Sequence, residues 1–294
     1  MLSLDYLLSL NMNKRKHCVH KRLRKSNIHR HFGSHSLFTQ NRHNVIHLAE
    51  LVILFSNLRG EDVTSKQALS IFQYQNEPRF DLSKDMRDVP DEEVIVLYFH
   101  LFDDMYFFGS LAPRCDIILA PEEAKDLGYN GKHESYKMWN IKRNNFICIR
   151  PYRRKRSEIT LYRRETETPF RWQRLHMYLG TLLHEMTHAF FMLWACKHKD
   201  CGAGTWEKMG LYGHGCLWQD IALALEMAVK EYPICLDLTL TREIALAREL
   251  RLTGRAVARE GVERWNMDYD ILQQILDWKR KRFVTGFVEI PTRS

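Results

Sequence analysis

Two histidines four residues apart with a glutamate between them, His184-Glu185-Met186-Thr187-His188, are the residues of this 294-residue chain best suited to chemistry. On a helix turning about 100° per residue, His188 returns to about 40° from His184, so both imidazoles project from one side. Side chains held in that way can converge on one zinc ion, which takes imidazole nitrogen at about 2.0–2.1 Å. Glu185, rotated by about 100°, flanks the pair and can hold a proton instead of ligating. That is the general-base position in metal-assisted peptide hydrolysis.

A catalytic zinc takes three protein ligands and leaves the fourth position to water. An extension of the motif along the same helix would need Gly at 191 and His at 194, where Phe191 and Trp194 stand. His198 would lie about 15 Å along the axis from His188 if the helix continued. His214 is the expected third ligand: Gly213 and Gly215 permit unusual backbone angles and close approach, and the loop from Ala195 onward is long enough to return to the helix. The plainer reading is a turn histidine between two glycines and a pair of solvated helix histidines. Cys196, Cys201 and Cys216 flank the same region. With a further ligand they could form a second, structural zinc site; small buried or loop thiols are the simpler account.

The elements that must position these groups are legible in part. Leu175, Leu179, Leu182, Met186, Phe190 and Leu193 recur at steps of three and four, predicting a helix over 170–194 with Thr168-Pro169 as cap and first-turn proline. Trp218, Ile221, Ala222, Leu225 and Val229 predict another, ended by Pro233. Pro90 with three acids after it opens a helix that Gly109 ends. Residues 115–119 and 146–150 read as strands bounded by prolines. A helix from Val45 to about Gly60, a polar connector over 61–89 with weak signals around Ala68 to Tyr74, and helices over 242–260 and 268–282 complete an α+β chain. The expected organisation is a basic arm over 1–43, an N-terminal helix and connector over 44–89, a catalytic domain over 90–235 and a helical extension over 236–294.

The formal charge of +8 is unevenly placed, because the nine Lys and Arg between Asp5 and Glu50 face no acid. Clusters at Lys14-Arg15-Lys16 and at 21–25 suit nuclear import or phosphate contact, and equally a solvated cationic tail. Histidines in and beside the arm, His43 and His47 among them, read as polar filler. Asp5, with the cations following the apolar stretch, argues against a secretory signal. No apolar run reaches the roughly 18 residues of a membrane span. Seven cysteines at irregular spacing suggest a reducing compartment. The expected location is the nucleus, with the mitochondrion or cytoplasm as alternatives.

The segment from 90 to 232 resembles the SprT-like, or Spartan-type, zinc metallopeptidase domain. The resemblance rests on the helix near Tyr98 to Phe108 with Gly109, the strand-like segments, Leu182-Leu183-His184-Glu185-Met186-Thr187-His188-Ala189, and Gly213-His214-Gly215 followed by Trp218. It implies His184, His188 and His214 as ligands of Zn2+, Glu185 as the catalytic carboxylate, and protein substrates, including proteins crosslinked to DNA. A ubiquitin-binding zinc module, a sliding-clamp box and a Cys-x-x-Cys ribbon have no counterpart in the sequence. DNA contact is expected through the basic arm and through the insert over 120–170, where Lys142, Arg143, Arg150, Arg153, Arg154, Lys155, Arg156, Arg163 and Arg164 mix with Trp139, Phe146, Tyr152 and Tyr162. Glu158, Glu165 and Glu167 dilute that field, so a solvated face competes with it. The function expected is zinc-dependent endopeptidase. The alternatives are a zinc-stabilised nucleic-acid-binding module without turnover and a structural interaction protein.

Overall fold

A computed structural model describes residues 38–58, 63–82, 89–122, 130–139, 153–166, 168, 170–198 and 207–284. Eight α-helices among them flank one small sheet, an α+β arrangement. Helix α1 (Val45–Ser56) starts where Asn44 Oδ1 accepts the backbone N–H groups of Ile46 and His47. Helix α2 (Ser65–Asn76) opens with a Thr64/Gln67 capping box. Helix α3 (Asp91–Tyr106) carries the three acids expected in its first turn. Asp91 is buried there and binds Arg171 and Arg174, which ties the start of α3 to the start of the long helix α4 (Arg171–Trp194).

Between those helices run β1 (Cys115–Ala120), β2 (Gly131–Trp139) and β3 (Arg153–Tyr162). Their order is β1-β3-β2, with β1 parallel and β2 antiparallel to β3, so β2 is an edge strand. Ser157, Ile159 and Leu161 of β3 are buried, and α4 packs across β3 and β2. Helices α5 (Cys216–Lys230), α6 (Arg242–Thr253), α7 (Arg259–Arg264) and α8 (Tyr269–Val284) follow. All six residues of the α4 apolar stripe are buried. The main hydrophobic core runs from Phe38 to Ala245, across the expected boundaries at 43/44, 89/90 and 235/236. A second cluster, including Leu246, Leu250, Val262, Trp265 and Leu272, joins α6, α7 and α8.

Several expectations need correction. The 61–89 segment is not only a connector: α2 lies in it, and it escapes periodicity because the residues it buries are polar, Gln67 and Ser70. Gln67 Nε2 donates to the carbonyls of Phe55 and Met105, which links α2 to α1 and α3. Thr168 does not cap α4, which begins at Arg171 after Phe170 without a side-chain cap. The helix expected to reach 260 stops at Thr253, where Gly254 takes a φ of +65°. Phe38 and His43, assigned to the arm, are buried, and His43 pairs with Ala195 through backbone hydrogen bonds. His43 Nε2 also accepts the Thr39 amide. The strand expected over 146–150, Gly60, and residues 1–37 of the arm lie outside the described residues.

The insert expected to face DNA supplies β2 and β3. Arg156 binds Asp116, Arg163 binds Glu92 and Glu165, and Arg164 is buried and donates to Asn130. These three guanidiniums serve the fold. No helix among the described residues is long and apolar enough to cross a membrane.

Candidate metal centre

Helix α4 presents His184 and His188 one turn apart, and the loop before α5 brings His214 to them. The three Nε2 atoms form a near-equilateral triangle with edges of 3.1 Å (184–214), 3.2 Å (184–188) and 3.0 Å (188–214). Tetrahedral zinc with nitrogens at about 2.0–2.1 Å requires edges of about 3.3 Å, so the triangle is the right size for one ion. The donor chemistry fits as well. His184 Nδ1 lies 2.9 Å from the Leu240 carbonyl, which needs a proton on Nδ1 and turns the Nε2 lone pair inward. Three neutral imidazoles carry one proton each and cannot satisfy three mutual contacts of this kind; a cation at the centre can. Among the described residues, no other group of three or more His, Cys, Asp or Glu converges so closely. Cys196 and Cys216 therefore join no such group, and Cys201 lies outside the described residues.

Burial sets the ionisation of the site. It pushes His184 down to about 4 and, with the neighbouring imidazole of His184, pushes His214 down to about 3; burial and the imidazoles around it hold His188 well below the usual histidine range. All three are neutral at physiological pH, the form that ligates metal. Glu185 is also buried, and its carboxylate lies outside the histidine cluster. Burial pushes that carboxyl up to about 8, a shift that a divalent cation nearby would oppose.

The loop's shape follows from its glycines. Gly213 has a φ of +83°, and a Cβ there would stand 2.9 Å from His188 Cε1, so its backbone presses on the ligand ring. Trp218, one turn into α5 and fully buried, floors the triad: its ring centroid lies 4.7 Å from His184 and 4.9 Å from His214, and it stacks on His188 at 5.9 Å.

Two carboxylates that sequence reasoning missed hold this arrangement from behind. Glu226 accepts the Leu240 amide at 2.7 Å and pairs with buried Arg242, whose NH1 donates to the Trp265 carbonyl. That fixes the strand of chain whose carbonyl holds His184. Glu249 of α6, 5% exposed, accepts the amides of Leu211 (2.5 Å), Tyr212 (3.0 Å) and His214 (3.3 Å). Nothing in its local sequence signals this, because its partners are backbone groups 35 to 38 positions away.

Glu249→Gln keeps the volume but turns one acceptor oxygen into a donor facing N–H groups. The affinity of the triad for a divalent metal ion, measured by chelator competition, is expected to fall about 10- to 100-fold. Unchanged affinity would show that the loop holds itself. Comparison with protein-family models, curated proteins and solved structures returns no match for the chain.

Proposed function

We propose that the protein is a zinc-dependent endopeptidase of the SprT-like type, with Zn2+ held by His184, His188 and His214 and Glu185 as the catalytic base. The observation that carries this reading is the triangle of three inward-facing Nε2 atoms with a glutamate on the same helix that is outside the ligand cluster. Zinc in such a site lowers the pKa of a water molecule and polarises a carbonyl.

The chain's own residues do the rest. The Glu185 carboxylate takes a proton from water as the water oxygen bonds to the peptide carbonyl carbon. The C–N bond then breaks, and the departing nitrogen leaves with the proton Glu185 has carried, giving a carboxylic acid and an amine. The Leu240 carbonyl and Trp218 keep the His184 ring in one orientation through the cycle. Proteins bound to DNA are the substrate class we propose, reached through the basic arm.

The test is elemental analysis of the full chain together with a protease assay, with and without single-stranded DNA. One zinc per chain is expected, with cleavage that a chelator abolishes and zinc restores. Stoichiometric zinc without cleavage of any protein, with or without DNA, would overturn the reading and leave a metal-stabilised binding module.

A further inference from the structure

Edge strand β2 lies along the catalytic helix. A Cβ at Gly131 would stand 2.6 Å from Thr181 Cγ2, so that face of the strand rests on α4. Farther along, Lys155, the register partner of Lys137, reaches the Met192 carbonyl at 3.5 Å, so β2 and α4 run in the same direction. Side chains alternate along a strand, which puts His133 on the face of Gly131. Two strand residues advance about 6.6 Å, little more than one helical turn of about 5.4 Å. His133 therefore stands over the turn from Thr181 to Glu185, on the helix face that carries Glu185.

His133 is also held. Its Nε2 is 2.8 Å from Ser157 Oγ, and Ser157 is fully buried on the neighbouring strand. With the Ser157 hydroxyl assigned as the donor to Nε2, the ring proton sits on Nδ1, the nitrogen left for a ligand. Burial, reinforced by Lys197, pushes the ring down to about 4, so it is a neutral N–H donor at working pH.

We propose that His133 is a further catalytic residue, donating a hydrogen bond from Nδ1 to the carbonyl oxygen of a peptide bound beside β2 at the Glu185 end of the histidine triad. The role rests on the peptidase reading. As the water oxygen bonds to the carbonyl carbon, the C=O π pair moves onto oxygen, and the Nδ1–H stabilises that charge while keeping its proton. When the pair returns and the C–N bond breaks, the hydrogen bond weakens again. Ser157 is a positioning residue acting through the ring.

The test compares three substitutions on the full zinc-loaded chain with a fluorogenic peptide. His133→Ala is expected to lower kcat about 10²- to 10³-fold with KM and zinc content unchanged. His133→Asn, whose amide nitrogen stands near the position of Nδ1, is expected to recover to within about tenfold of wild type, and His133→Gln, whose amide stands near Nε2, to behave like Ala. A purely structural partner of Ser157 would show the reverse order of rescue, and that result, or a His133→Ala enzyme within about threefold of wild type, overturns the role. Ser157→Ala supplies a second measurement if substitutions at 133 do not fold. A loss of about tenfold in kcat is expected, and wild-type kcat overturns the role. If the wild-type chain itself cleaves nothing, the peptidase reading fails and this role with it; an active wild type with an indifferent His133→Ala removes only the role.

Discussion

Glu185→Gln is expected to retain one zinc per chain and to lose peptide cleavage by about 10²- to 10⁴-fold in kcat, the range lost when a general base is removed. The two halves of this result have separate causes. Zinc stays because the carboxylate is outside the ligand cluster and the amide has the same shape, so α4 and the imidazole triangle are undisturbed. Cleavage goes because an amide oxygen cannot take up the proton that attack by water releases. Burial pushes the Glu185 carboxyl up to about 8. Positive charge bound at the triad would favour the ionised form and so allow the carboxylate to act as a base near neutral pH. Elemental analysis and a turnover assay on one clean preparation read both halves. Proteolysis at wild-type rate would remove Glu185 from the mechanism, and loss of zinc would make it a structural member of the site.

What the sequence discloses about this site is what short-range spacing encodes. The α4 stripe and the two imidazoles differ only by rotation about one helix axis, so both are readable from periods of three and four. The Gly213-His214-Gly215 turn is readable because a backbone pressed on the His188 ring leaves no room for a side chain. Strand β2 escapes the same pattern because of what it covers. A strand that covers a hydrophobic core alternates apolar and polar residues, but the inner face of β2 carries Gly131, His133 and Ser135, because it lies over the polar, chemistry-bearing face of α4. Helix α2 gives only weak signals around Ala68 to Tyr74, since Gln67 hydrogen bonds and the part-buried Ile71 and Tyr74 fix it instead of a continuous apolar stripe. Glu226 and Glu249 were illegible because each is an ordinary helix glutamate until the chain brings distant backbone amides to it.

His214→Ala is the substitution that decides whether there is a metal centre at all. Structural zinc sites with four ligands bind with about 10–16 kcal/mol, or about 2.5–4 kcal/mol per ligand. Loss of one nitrogen should therefore weaken zinc about 10²- to 10³-fold, enough to give a protein that loses its metal on dialysis. The loop itself is expected to stay in place. Glu249 holds it through backbone amides at 211, 212 and 214, which the substitution leaves intact, and Gly213 still rests against His188. The space vacated is the size of one imidazole, beside Trp218 and facing the Nε2 atoms of His184 and His188. Added imidazole is accordingly expected to restore part of the zinc binding and of the turnover in His214→Ala. A collapsed loop would admit no such rescue. Stoichiometric zinc in His214→Ala without added imidazole would mean that the ion sits elsewhere, and the three-histidine centre would fall.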